Sequence, residues 1–413
     1  MSGASLKVLV VGGGIGGLCL AQGLKRAGID VAVYERDRTR DDRLEGYRIH
    51  IDPDGAKALH SCLPEKVWAE FTAGTVDLGS FRFLTEGLRE LMELEPDAHR
   101  VPDGGPTSRS HAIDRVTLRD ILLTGLDDVL HFGKKFERYE RTSDGVVAHF
   151  ADGSTATGDV LIGADGVGSP VRGQYLPQAE RVDTDAFGIG LKLPLTDEVR
   201  AWLRPPLSTG RCMIMAPTPY FLSVSVFDRS AERPGSSGDD AYVGTAFVVR
   251  RGACPANIHA LDGAELIRLV GRMISGWHPD LRRLVAESDP GSALLVPYKT
   301  SVPLKPWQST NITLLGDAVH SMSPVGGMGG NTALRDADEL RGQLVRLDGG
   351  AVSTEQAIGA YETAMLDYGF AAVRKALRYQ DQGLRSGTIA TSLSRASFRA
   401  MNGMMRRRAR ARS

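Results

Sequence analysis

Residues Leu6 to Val11 (LKVLVV) are apolar and β-branched, as a strand buried on both faces should be. GGGIGG follows directly, and Leu18, Leu20, Ala21 and Leu24 then give a helix one apolar face, which stops near Gly28. A second strand, Val31 to Tyr34, ends in Glu35. The short buried strand that empties into glycine and acid recurs twice. Val160 to Ile162 run into Gly163, Ala164, Asp165 and Gly166, and Ile312 to Leu315 run into Gly316 and Asp317. The second of these leads into a helix with Leu334, Ala337, Leu340 and Leu344 on one face.

Between Gln174 and Pro297 this helix-alternating rhythm gives way to strand-like segments: Phe187 to Leu193, Arg211 to Ala216, Phe221 to Phe227 and Tyr242 to Arg250. Leu222, Val224 and Val226 alternate with Ser223 and Ser225, the period of a half-buried strand. Val76 to Leu94 adds two further strands, Ser230 to Asp240 reads as an exposed loop, and Ala351 to Ser413 reads as mainly helical. The pattern predicts an α/β fold, a doubly wound Rossmann-like domain carrying an inserted mixed β-sheet, with C-terminal helices.

The first glycine run has chemistry attached. Gly12-x-Gly14-x-x-Gly17 lies between strand and helix, and Glu35 comes 18 residues after Gly17. Gly12 permits the tight turn, Gly14 lets backbone approach a pyrophosphate, and Gly17 lets the helix pack closely on the strand. Free N–H groups at the helix start favour phosphate charge, and Glu35 can accept ribose hydroxyls. This unit binds a dinucleotide but does not by itself separate FAD from NAD. The strand end at Asp165 is well placed beside a ligand at a switch point; a simple turn is the alternative reading. In the third run, Asp317 can accept from a ribityl hydroxyl. Pro324, Gly326, Gly327, Gly329, Gly330 and Asn331 then line a cradle in which the four glycines bring bare amides toward a flat ligand, and whose helix start stabilises a flavin's anionic edge.

Composition narrows the partner. Fifty basic residues cancel fifty acidic ones, so no overall field points to nucleic acid or a membrane surface. Arg406, Arg407, Arg408, Arg410 and Arg412 form a basic tail that reads as a solvated terminus. Cys19, Cys62, Cys212 and Cys254 have no metal-ligand or CxxC spacing and read as buried thiols of a reducing compartment. No stretch approaches the roughly 18 apolar residues of a membrane helix, so a cytoplasmic protein is expected. There are no internal repeats, no metal cluster and no nucleophilic triad.

In order and spacing, the GxGxxG, ADG (Ala164 to Gly166) and GDA (Gly316 to Ala318) runs resemble the group A flavoprotein monooxygenases, which include the aromatic hydroxylases. The resemblance spans roughly residues 5 to 345. VAVYERDRTRDDRLEGYRIHID and IDRVTLRDILL are similar to the tetracycline-inactivating branch. The family implies a discontinuous FAD-binding domain of the glutathione-reductase-like (GR2) type over 1–75, 108–173 and 298–348. It also implies a substrate domain over 76–107 and 174–297, roofing the flavin, and a helical segment over 349–413. It implies that Glu35, with Arg36 beside it, holds the adenosine ribose, and that Arg43 serves the nicotinamide cofactor or the FAD. It further implies that Arg115, behind the N-cap Asp114, reaches the FAD phosphates, and that Asp165 and Asp317 take their family roles. The implied chemistry is reduction of FAD by NADH or NADPH, formation of a flavin C4a-hydroperoxide with O2, and oxygen transfer to a small organic substrate.

The sequence departs from the branch where His50 replaces an acid near the flavin, and at Ala318-Val319-His320. Arg48 and His50 alternate on one face of a predicted strand, Tyr47 to Ile51. His50 is a candidate proton shuttle, with a structural histidine as its alternative, and Arg48 a candidate partner for a phenolate or carboxylate. His320 reads as structural. Other readings of the scaffold are a flavin oxidase or dehydrogenase, a redox-neutral cyclase, or a binding protein that has lost its flavin. A halogenase is disfavoured, because Ser275-Gly276-Trp277-His278-Pro279 breaks the GWxWxIP signature.

Overall fold

The computed structural model describes residues 6–40, 48–76, 79–94, 105–228 and 241–410, and the side chains of 388–391 and 406–410 lie outside that description. From the amino terminus run β1 (Lys7–Val11), α1 (Ile15–Arg26), β2 (Asp30–Tyr34), β3 (Arg48–Ile51), α2 (Pro53–Cys62), α3 (Glu65–Gly74), β4 (Phe81–Thr85) and β5 (Glu90–Leu94). Next come β6 (His111–Asp114), α4 (Arg115–Leu123), β7 (Leu130–His131), β8 (Phe136–Thr142), β9 (Gly145–Phe150), β10 (Thr155–Gly158), β11 (Val160–Gly163), α5 (Pro170–Tyr175), β12 (Arg181–Pro194) and α6 (Asp197–Trp202). The chain continues through β13 (Arg211–Met215), β14 (Tyr220–Phe227), β15 (Tyr242–Arg250), α7 (Gly263–Met273), α8 (Pro279–Ala286) and β16 (Leu294–Ser301). It ends with β17 (Ile312–Leu314), α9 (Asp317–His320), α10 (Gly329–Asp348), α11 (Thr354–Gly383) and α12 (Thr388–Arg410).

The chain forms two compact units: Met1–Thr75, Arg100–Val182 and Lys299–Leu377 in the first, and Val76–His99, Asp183–Tyr298 and Arg378–Ser413 in the second. The first is built on a parallel sheet in the order β17-β11-β1-β2-β7. Val8, Leu9 and Val10 in its centre, with Val160, Leu161 and Ile162 alongside, are fully buried, which is why these strands read as unbroken apolar runs. Helix α1 is buried from Ile15 to Leu24 and packs against α10. Two parts of this unit carry weak sequence signals. An antiparallel trio, β10-β9-β8, precedes β11, and β3 pairs with β6 in a two-stranded ribbon.

The second unit holds a mixed seven-stranded sheet, β16-β12-β15-β14-β13-β4-β5, in which β13 runs parallel to β4. The strands expected from alternation are present, β4 and β5 included, and β12 extends well beyond the predicted Phe187 to Leu193. Leu266, Leu269, Val270, Leu281, Leu284 and Val285, from α7 and α8, pack with Ile189, Leu222, Val224 and Phe247 of the sheet in one core. Helix α7 starts with a capping box, Asp262 accepting from Glu265 N–H while Glu265 accepts from Asp262 N–H. On β4, the Phe83 ring stacks on Phe398 of α12 with centroids 4.6 Å apart. Of the four cysteines, Cys19, Cys62 and Cys212 are buried and Cys254 is only half-buried. The predicted loop at 230–240 lies outside the described residues, and among those described no helix is long and apolar enough to cross a membrane.

Candidate active site

Because β17, β11 and β1 are adjacent and parallel, their carboxyl ends leave the sheet along one edge. Backbone hydrogen bonds lace the exits together. Gly12 N–H donates to Tyr34 O (2.9 Å), Ala164 N–H to Val11 O (2.7 Å) and Leu315 N–H to Gly163 O (3.0 Å). Gly12 has φ of 113°, and a Cβ there would lie 2.3 Å from Ala164 O, so only glycine lets the first and second exits meet. A Cβ on Gly17 would stand 2.2 Å from Gly12 O, the close helix-to-strand approach its motif position requires. Around Gly14, the N-cap of α1, that position meets nothing within 4 Å.

Glu35, the acid at the end of β2, is buried, and it is tied to the glycine turn. Its Oε2 accepts from Gly13 N–H at 2.6 Å and its Oε1 from Asp37 N–H at 3.0 Å. Each oxygen keeps a lone pair for a further donor. Arg36 and Arg115 are exposed and make no ion pair among the described residues, so both are available to an anion. Arg115 opens α4 behind Asp114, whose side chain accepts from Val116 N–H at 2.8 Å, as the sequence led us to expect. Arg43 lies outside the described residues.

At the second exit, Asp165 Oδ2 accepts from Val171 N–H at 3.2 Å, but Oδ1 is buried without a hydrogen-bond partner among the described residues. Burial, only partly offset by Ser169 and Val171, pushes its carboxyl above the usual range. This open acceptor at a strand end leaves room for a further hydrogen-bond donor.

The third exit is the most elaborate. Gly316 takes φ of 63° and ψ of −140°, and Asp317 beyond it is exposed, with no hydrogen bond among the described residues. Gly326 and Gly327 have φ of 93° and 65°, Gly327 N–H donates to Pro324 O at 3.0 Å, and α10 then begins at Gly329 without a side-chain cap. The open amides of this 20-residue helix stand one turn from the glycines. Asn331, expected at the cofactor, makes three side-chain hydrogen bonds within the protein. Its Nδ2 donates to His50 O (2.8 Å) and Gly327 O (3.2 Å), and its Oδ1 accepts from Asp52 N–H (2.9 Å). It thus staples the β3 ribbon to the cradle.

Arg48 and His50 lie on that ribbon, half-buried and opposite Asp114 and Ala112. Ile49, between them, turns to Gly330, where a Cβ would come within 2.6 Å of its Cδ1. Sequence reasoning missed Asp336, which is fully buried and accepts at Oδ2 from Gly316 N–H (2.7 Å) and His320 Nε2–H (2.7 Å), and at Oδ1 from Tyr368 O–H (2.6 Å). The available signal was its position: an acid between Leu334 and Ala337 on the apolar arc of a helix.

Comparison with known proteins fits these cradles. A family model described as FAD binding domain matches residues 289–376, and one described as NAD(P)-binding Rossmann-like domain matches residues 10–61. The FAD-dependent urate hydroxylase of Klebsiella oxytoca is 31% identical over 344 residues, covering 83% of this chain and 82% of that protein. The chain belongs to the FAD-dependent monooxygenase family. A solved structure from Photorhabdus luminescens, assigned as an FAD containing monooxygenase, agrees with this. It superposes with a TM-score of 0.82 at 34% identity, over 92% of this chain and 99% of the other. The dual O-methyltransferase/FAD-dependent monooxygenase CTB3 of Cercospora beticola is 34% identical over 405 residues. The alignment covers 88% of this chain but 44% of CTB3, so the chain spans less than half the length of that relative. The tetracycline destructase Tet(51) has a TM-score of 0.63 at 19% identity over 97% of each chain, a likeness of fold. The family read from the three motifs is borne out, and its tetracycline-inactivating branch is a distant structural neighbour.

Proposed function

We propose that this chain uses NAD(P)H and O2 to oxygenate a small organic molecule, aromatic or polyketide-like, on a tightly held FAD. One observation carries the reading: three glycine-bearing strand ends, at Gly12, Asp165 and Gly316, open along one edge of one parallel sheet. The residues fit the cofactor. Asp165 Oδ1 is an orphaned buried acceptor, and Gly12 keeps its turn clear only because it lacks a Cβ.

When bound, FAD would supply the redox chemistry, with NAD(P)H as two-electron reductant and O2 as oxidant, one oxygen atom going to the substrate and the other leaving as water. The chain's work is to bind, orient and shield. Glu35 accepts from the adenosine ribose while its present hydrogen bonds fix its rotamer. The α1 amides and dipole, with Arg36 and Arg115, neutralise the pyrophosphate. Asp165 and Asp317 accept from hydroxyls between the phosphates and the ring. The start of α10 favours negative charge at the ring's pyrimidine edge, which raises electron affinity there. On the β3 ribbon, His50 moves a proton and Arg48 steadies an anionic substrate. Exclusion of water from the reacting face keeps reducing equivalents coupled to oxygen transfer. Free cysteines and a net charge of zero suit a cytoplasmic setting with a small-molecule partner rather than nucleic acid.

The test is NAD(P)H oxidation by FAD-loaded protein across a panel of aromatic and polyketide compounds under labelled O2. A productive compound accelerates NAD(P)H loss, suppresses peroxide release and gains one labelled oxygen atom. Turnover that yields peroxide alone with every compound, or protein that takes up no flavin, contradicts the proposal.

A further inference from the structure

The third strand end is held from behind by a group with no part in the proposed chemistry. The segment Gly316 to His320 is a single turn closed on itself, with His320 N–H donating to Gly316 O at 3.0 Å. Both of its ends are also bound to one atom: Asp336 Oδ2 accepts from Gly316 N–H and from His320 Nε2–H, each at 2.7 Å. Between those anchors the turn displays Asp317, whose carboxylate makes no hydrogen bond among the described residues. Gly316 makes the turn possible, because its φ of 63° and ψ of −140° are open to glycine and strained for a residue with a side chain. The His320 ring is pinned on its other side by α11, where a Cβ on Gly369 would come within 2.7 Å of its Cδ2.

From this geometry we infer that His320 and Asp336 are positioning residues, a buried clamp that sets the turn presenting Asp317 and so sets FAD affinity. The inference rests on the proposed FAD reading of the site.

The electrostatics give the clamp a pH dependence. Burial opposes charge on His320, and its Nδ1 has no hydrogen-bond partner among the described residues, but the Asp336 carboxylate, joined by Asp317, outweighs both. The imidazole therefore holds its proton above its ordinary range. The other titratable and charged groups nearby are Tyr368 on α11, donating to Asp336, Tyr361 on the same helix, donating to Leu314 O and kept protonated by burial, Arg335 of α10 over the Tyr368 ring, and Arg172 on α5, donating to Ala318 O at 2.8 Å. Burial holds the Tyr368 hydroxyl protonated and lowers the pKa of Arg172, which stays charged in the accessible range, so His320 is the member that titrates. For a group whose folded pKa is raised, the stabilising contribution is complete below the ordinary histidine pKa and is lost as pH climbs through the raised one. Above that point Asp336 is left as a buried carboxylate without its counter-charge, and the turn loosens.

The experiment measures FAD dissociation constants of flavin-stripped full-length protein by fluorescence quenching, from about pH 6 to about pH 9. The proteins compared are wild type, His320→Gln, Asp336→Asn and Gly369→Ala. Wild-type affinity falls as pH rises, whereas His320→Gln binds FAD roughly tenfold more weakly at the acid end and shows no such slope. Gly369→Ala keeps every charge and favours the helix, yet pushes the ring, and it weakens FAD binding by about fivefold with unchanged circular dichroism. This variant covers the case in which Asp336→Asn does not fold. Histidine NMR on flavin-free protein adds a readout independent of the cofactor, with the His320 midpoint falling in Asp336→Asn. His320→Gln and Gly369→Ala both binding within about twofold of wild type, or a Gln variant that keeps the wild-type slope, would overturn the clamp alone. Wild-type protein that binds no FAD at any pH would overturn the reading beneath it as well.

Discussion

Asp165 and Asp317 are both strand-end acids, yet they sit in opposite surroundings. Asp317 is exposed and makes no hydrogen bond in the described structure, so removing it costs the apo-protein almost nothing, within about 0.5 kcal/mol. A charge-assisted hydrogen bond to FAD is worth about 1.5–3 kcal/mol. Asp317→Ala is therefore expected to weaken FAD binding by roughly ten- to a hundredfold with an unchanged melting temperature, measured by fluorescence titration and calorimetry. Asp165 carries the cost of a buried carboxylate. Its raised pKa means that this cost is absent in acid, where the group is neutral, and grows as pH rises through the folded pKa. Asp165→Asn apo-protein should melt higher than wild type at neutral pH, the gap closing toward the carboxylate range, while its FAD affinity falls. An unchanged melting temperature at every pH would show that Asp165 stores no such cost. These two acids were legible because each ends an apolar run, whereas Asp336 shows in sequence only as an acid on the apolar arc of a helix, with nothing to reveal its three partners.

Among elements, the β3 ribbon depends on contacts that sequence cannot display. A strand of four residues has too little alternation to fix its partner, and pairing with β6 bridges some 60 residues of chain. Asn331 ties it to the glycine cradle, with hydrogen bonds to His50 O and from Asp52 N–H on the ribbon side and one to Gly327 O, beside the packing of Ile49 on Gly330. Asn331→Ala is expected to lower stability by about 2–4 kcal/mol, read from denaturant midpoints, because buried backbone groups lose their partners. A loss below about 0.5 kcal/mol would show that the ribbon is held elsewhere. The buried parallel strands were legible for the opposite reason, since burial on both faces writes an apolar run directly into the chain. The capping box at Asp262 and Glu265 was equally legible as a spacing, but it fell in a stretch whose dominant signal was alternation.

For the whole molecule, the decisive information was the order of three short motifs separated by more than a hundred residues each. No single one of them identifies a flavin protein, but a sheet ordered β17-β11-β1 turns their separation in sequence into adjacency at one edge. The balance of charge and the absence of ligand clusters among the described residues are compatible with that reading without selecting it. The most direct test is a crystal structure of the protein reconstituted with FAD. The adenosine ribose is expected at Glu35, the pyrophosphate over the start of α1, and the flavin chain between Asp165 and Asp317 with its ring at the start of α10. Flavin density on any other surface, or a sheet edge left empty in saturated crystals, would contradict this placement.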